Sequence, residues 1–145
     1  MVTEATFPRA LKSAGQAAFD NCSSLKSVTP NEGLEKLPGY VFQNMAIESV
    51  ILPGSLNSIS PLVFMNCSNL QSIGAAEGSQ KYMSEDGVLF SKDKREPVLD
   101  PQGNVQSSFT VPDGVQVIGQ YAFSDAGNLC SITLSDSVAN LKKAH

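Results

Sequence analysis

Phe64-Met65-Asn66-Cys67-Ser68-Asn69-Leu70-Gln71-Ser72-Ile73 is the stretch that decides the fold, because the chain writes it four times. Phe19 to Val28, Phe42 to Val50 and Phe123 to Ile132 repeat the phrase. Each has an aromatic, a small sulfur or apolar residue three positions on, then a Leu/Ile-x-Ser-Val/Ile strand. Successive phenylalanines are 23, 22 and 59 residues apart, so the last gap is two repeats plus an insertion or one repeat with a long excursion. A period of 22 to 23 residues is the signature of a solenoid. One such unit holds too few apolar groups to offset its own ordering entropy, so each copy must stack on its neighbours.

Val50, Ile51, Leu52, Pro53, Leu56, Ile59 and Phe64 align over Val28, Thr29, Pro30, Asn31, Leu34, Leu37 and Phe42. The frame reaches upstream to Ala5, Phe7, Leu11, Ala14 and Phe19. Downstream it takes in Phe109, Val111, Val115, Ile118 and Phe123, then Ile132, Leu134, Val138 and Leu141. This predicts a single domain over 1–145 with six strand-bearing turns, starting near 2, 25, 47, 70, 107 and 129. The period breaks once. Between Ile73 and Phe109, Glu85-Asp86-Gly87 separates short apolar runs and Val88-Leu89-Phe90 follows, which reads as a β-hairpin insertion at about 76–105 leaving the solenoid. It either covers an edge of the stack or protrudes toward a ligand, with Lys92, Lys94 and Arg95 supplying charge at its tip.

Written as a consensus, the copies give Leu-x-Ser-Ile-x-Leu-Pro-x-x-Val-x-x-Ile-x-x-x-x-Phe-x-x-Cys. This resembles the BspA-like family of leucine-rich repeats, best matched by Ile118-Gly119-Gln120-Tyr121-Ala122-Phe123 and by Cys67 to Ile73. The resemblance implies an α/β, right-handed leucine-rich-repeat solenoid with short parallel strands and short helical or irregular turns. It also implies a cell-surface or secreted protein of bacterial or protist type that adheres to host or extracellular proteins. Repeats that merely space another domain from the cell wall are the alternative.

Composition narrows the function classes. A formal charge of −4 with ten scattered basic residues offers no electrostatic footprint for nucleic acid. No run of about 18 apolar residues or basic amphipathic stretch predicts membrane insertion. The first residues carry no signal-peptide pattern, yet Val2, Ala5 and Phe7 already stand in core phase, and Val138 and Leu141 begin a turn whose phenylalanine never arrives. Such open apolar ends predict either a fragment of a longer protein or end-to-end contacts between copies.

Chemistry-bearing motifs are sparse. Cys22 and Cys67 share one slot two turns apart, roughly 9 to 10 Å from each other at strand spacing. That is too far for a disulfide, and both are expected to be buried small hydrophobes. No CxxC pair occurs and the one histidine is His145, so no metal site and no Cys-His nucleophile is expected. Glu85 with Asp86, and Glu32 with Glu35, fall in turns and give no acid/base pair. No phosphate-binding glycine loop is present. No cofactor and no catalytic residue is therefore predicted. Asn21-Cys22-Ser23 and Asn66-Cys67-Ser68 match the N-glycosylation pattern but coincide with the repeat's own turn.

Function is then sought on the solvent side of the strands, since alternation sends every second side chain inward. Val28, Val50, Ile73 and Ile132 form the expected buried ladder. Ser27, Ser49, Ser72 and Ser131 form one outward row, and Thr29, Ile51, Gly74 and Thr133 another. Ser27, Thr29, Ser49, Ile51, Ser72, Ser131 and Thr133 are the candidate protein-binding residues. They would make a shallow, neutral, hydrogen-bonding surface, suited to a protein rather than a small metabolite.

Overall fold

The computed structural model describes residues 3–8, 10–15, 18–19, 22–104, 106–119, 122–123 and 128–142, so Val2, Asn21, Tyr121 and His145 lie outside it. Its strands in chain order are β1 (Glu4–Thr6), β2 (Ser27–Thr29), β3 (Lys36–Leu37), β4 (Ser49–Leu52), β5 (Ser58–Ile59), β6 (Ser72–Ala75), β7 (Tyr82–Glu85), β8 (Val88–Ser91), β9 (Pro97–Leu99), β10 (Ser108–Thr110), β11 (Val117–Ile118), β12 (Ser131–Thr133) and β13 (Asn140–Leu141). Parallel pairs β1–β2, β4–β6 and β10–β12 lie along one side of the stack, and β3–β5 and β11–β13 along another. The register is set by carbonyls that each accept two N–H groups from the next turn, among them Thr3 from Lys26 and Ser27 and Ser107 from Cys130 and Ser131. Lys12 accepts from Glu35 and Lys36, Glu35 from Asn57 and Ser58, Arg95 from Gln116 and Val117, and Gln116 from Ala139 and Asn140, all at 2.8 to 3.3 Å.

The described residues contain no helix, which corrects the α/β expectation to an all-β solenoid. The reason lies in the phenylalanine segments, expected to be helical or irregular. Tyr40, Phe42 and Asn44 donate their N–H groups to the Leu62, Val63 and Met65 carbonyls one turn away, and so spend on stacking the bonds a helix would need. Asn44 and Asn66, two residues beyond their phenylalanines, sit at φ 59° and 60°, a left-handed conformation that ends any helical run and that asparagine tolerates.

Inside each turn the aromatic rings touch. Phe42 is wholly buried and stacks on Phe7, Phe19 and Phe64 with centroids 5.9, 5.6 and 5.7 Å away, while Phe109 and Phe123 make a separate tilted pair at 5.4 Å. The break between these groups falls at the inserted segment, where the stack takes a different form. Asp100 N–H donates to the Ala122 carbonyl just as Phe19 N–H donates to Val41, so Asp100 occupies a phenylalanine slot. Arg95 likewise occupies the slot of Lys12, Glu35 and Gln116. The insertion therefore sits within a complete repeat.

The insertion does not leave the stack. β7, β8 and β9 form an antiparallel sheet, and β8 is buried on both faces. Leu89 joins the N-terminal core with Leu70, Ile73 and Leu99, whereas Val88 and Phe90 join the C-terminal core with Phe109, Val111 and Val115. Period-two alternation thus makes one strand the wall shared by two cores. The hairpin also closes the outer edge of β6: Ile73 N–H donates to the Gly87 carbonyl at 2.9 Å, and the Ser84 hydroxyl donates to the Ile73 carbonyl at 2.7 Å. At the far side Gly103 N–H donates to the Leu70 carbonyl at 2.7 Å, an approach so close that a Cβ on residue 103 would stand 2.6 Å from backbone atoms of Ser68, Asn69 and Leu70.

Ile132, expected in the buried ladder, is 41% exposed, because no described strand packs beyond β12. Leu134 and Leu141 are exposed at the same end.

Three outcomes are predicted. Phe42→Ala costs about 3 to 5 kcal/mol, the loss for a buried aromatic in contact with three others, read by thermal or urea unfolding. Leu89→Ala costs about 2 to 5 kcal/mol and, because β8 belongs to both cores, lowers the melting of both halves together by hydrogen exchange. Asp100 is buried and accepts from Asn104 Nδ2 at 2.9 Å, and burial raises its pKa above the usual carboxylate range. A folded pKa above the unfolded one contributes stability at low pH that is lost as pH rises through that window. Asp100→Asn, which keeps the acceptor oxygen, therefore melts higher than the parent at neutral pH and converges with it in acid.

Candidate protein-binding face

The strand face is assembled row by row. Ser49 pairs with Ser72 and Ile51 with Gly74 across β4–β6, and Ser108 with Ser131 and Thr110 with Thr133 across β10–β12. Ser27 pairs with Glu4, and Thr29 with Thr6, across β1–β2. Ser27, Thr29, Ser49, Ile51, Ser131 and Thr133 are all exposed. Ser72 is half-buried, because the Asp86-Gly87 turn lies across it. A Cβ on Gly87, which sits at φ +81°, would come within 3.3 Å of Ser72 Cβ. The hairpin thus divides the expected row, leaving Ser27 and Ser49 on one side and Ser131 on the other.

A second discontinuity lies between β2 and β4. These strands are spatial neighbours, yet among the described residues no β-ladder joins them and they belong to separate sheets. The Thr29 carbonyl accepts from Phe7 toward β1, which turns the Val28 N–H and carbonyl toward β4. Glu48 and Leu52 carbonyls accept from Gln71 and Ala76 toward β6, so the backbone groups of Ser49 and Ile51 point back at β2. Between them opens a shallow depression of about 220 Å³, lined by Ser27, Val28, Thr29, Pro30, Ser49, Val50 and Ile51. Ile51 is 68% exposed beside it and leans over Gly74, whose absent side chain leaves the room.

The signal for this break is present in the sequence. From phenylalanine to strand centre is nine residues in Phe19 to Val28, Phe64 to Ile73 and Phe123 to Ile132, but eight in Phe42 to Val50. Met45-Ala46-Ile47 replaces the four residues Cys67-Ser68-Asn69-Leu70, so the connection entering β4 is one residue shorter where the ladder to β2 is missing.

The other candidate groups are structural. Lys94 pairs with Glu85, and Arg95 Nε lies 3.7 Å from Asp93, so two of the three basic groups at the hairpin tip are matched by acids of the same sheet region. Glu32 Oε1 accepts from Gly54 N–H at 3.3 Å, and Glu35 pairs with Lys12 at 3.4 Å. Among the described residues no three His, Cys, Asp or Glu side chains gather as a metal site would require, and no helix is long and apolar enough to cross a membrane. Asn66 Nδ2 donates to Asn44 Oδ1 at 3.1 Å, one turn to the next.

All three cysteines are free. Cys67 is buried, with Sγ 2.9 Å from the Phe42 carbonyl, and burial pushes its thiol up to about 11. Cys22 is exposed, against the expectation of a second buried thiol, because no described strand packs beyond β1 to cover it.

Six copies of the BspA type leucine-rich repeat region match residues 1–86 and 102–144. The chain belongs to the BspA-type leucine-rich repeat family. No curated protein matches it. This BspA-type solenoid superposes on the pneumococcal vaccine antigen PcpA with a TM-score of 0.86 at 26% identity, covering 97% of this chain and 35% of that one. On a leucine-rich cell surface protein of Faecalibacterium prausnitzii the score is 0.81 at 25% identity, over 97% and 37%. On a leucine-rich repeat protein of Eubacterium ventriosum it is 0.79 at 22% identity, over 96% and 43%. The chain thus spans less than half the length of each of these proteins. What matches is a repeat, and no enzyme family is indicated.

Since the thiolate is the reactive form, iodoacetamide at mildly alkaline pH is predicted to modify Cys22 and Cys130 quickly and Cys67 only on unfolding, a difference read by peptide mass spectrometry.

Proposed function

We propose that this chain is a non-catalytic protein-interaction module of a cell-surface or secreted protein, which adheres to host or extracellular proteins through its exposed strand face. The observation that carries the reading is Ile51, a large aliphatic side chain held 68% exposed among small hydroxyl residues, as an interface anchor would be. Shallow, neutral strand faces of this kind suit extended protein surfaces better than small molecules. Surface location is supported by two of the superposable proteins, one described as a vaccine antigen and one as a cell surface protein. The exposed Ile132, Leu134 and Leu141 form the end through which end-to-end self-association would run. Repeats that only space another domain would have no use for an exposed Ile51.

Immobilised host matrix and plasma proteins are the test. Saturable binding is predicted for the parent chain, lost by at least about tenfold in Ser49→Arg/Ile51→Arg or in Ser131→Arg/Thr133→Arg, each with an unchanged melt. Binding by neither the parent nor the variants, or binding that both double variants retain in full, overturns strand-face recognition and favours the spacer.

A further inference from the structure

The break between β2 and β4 has its own chemistry. In a parallel ladder the Val28 N–H and carbonyl would bond the Ser49 and Ile51 backbone groups. Here β2 and β4 form no ladder, and the Val28 backbone borders the depression with the Ser27, Thr29 and Ser49 side chains around it. Unbonded strand-edge carbonyls are strong acceptors that water or a partner must satisfy. The charges nearby are unequal. Glu4, the ladder partner of Ser27, and Glu48, which precedes Ser49, are both exposed, against the one basic residue Lys26. Only donors of positive charge meet both the acceptor oxygens and this acidic excess. Beside them Ile51 presents an apolar surface, braced over Gly74.

We propose that this notch is the docking point for an exposed segment of another protein that carries a basic side chain next to an apolar one. The basic head donates to the open carbonyls and hydroxyls and is held by Glu4 and Glu48. The apolar neighbour packs on Ile51. A depression of about 220 Å³ has room for one large side chain, so the partner enters with a side chain. The inference rests on the protein-binding reading above. It adds which part of the face is used and what chemistry it selects.

The notch can be closed without touching any residue that lines it. One asparagine inserted between Ala46 and Ile47 restores the nine-residue spacing and is predicted to rejoin β2 to β4. The probe is a displayed library of short disulfide-closed peptides selected on the whole chain and then titrated in solution with amide NMR. Enriched peptides are expected to set Lys or Arg within two positions of Leu, Ile or Phe and to shift the Val28, Ser49 and Ile51 amides. Ile51→Ser weakens them at least about tenfold, as for an interface anchor, and the insertion abolishes binding without lowering the melt. Glu48→Gln weakens them less, with a flatter salt dependence. Peptides that instead shift 108–110 and 131–133 and ignore Ile51→Ser overturn the notch while leaving strand-face recognition intact. A library that yields no binder to either part of the face overturns both.

Discussion

The structure depends on backbone carbonyls that each accept two N–H groups from the turn that follows. Those bonds at Lys12, Glu35, Arg95 and Gln116 fix the pitch, and the pitch in turn sets the ring spacing that lets Phe42 stack on Phe7, Phe19 and Phe64. No single repeat holds enough apolar surface to stand alone, so ring stacking and backbone register must be satisfied together. The chain keeps this arrangement through its longest interruption by giving Arg95 and Asp100 the backbone roles of a regular repeat, while β8 supplies the core.

That solution shapes the surface. Because β7 and β8 stand between β6 and β10, the strand side is not one continuous sheet, and the Asp86-Gly87 turn covers Ser72. The open area that remains nearest the N-terminus runs from β1 to β4, and there the shortened second repeat leaves carbonyls and hydroxyls unladdered next to Ile51.

Much of this was legible in the chain itself. Phe19, Phe42, Phe64 and Phe123 declared the phase, and Val28, Val50 and Ile73 are buried where the phase puts them. Asn44 and Asn66, two residues past their phenylalanines, carry the left-handed turn that selects the irregular over the helical form of the segments expected after Phe42 and Phe64. Val88-Leu89-Phe90 reads as part of an excursion by its place in the period, while its three consecutive apolar residues signal a strand buried on both faces. Ile132 and Cys22 misled because burial in a solenoid is supplied by the neighbouring turn and not by the residue's own slot. The eight-residue step from Phe42 to Val50 was countable, but a one-residue deletion can be absorbed by a turn or passed to a strand, and only the backbone shows which.

Amide hydrogen exchange across 26–52 and 71–76 tests the central claim most directly, that the strand side is broken between β2 and β4. The account predicts slow exchange at Ser27, which donates to the Thr3 carbonyl, and at Gln71, which donates to Glu48, with fast exchange at Val28, Ser49 and Ile51 between them. Equal protection at all five amides would mean an unbroken ladder and no notch.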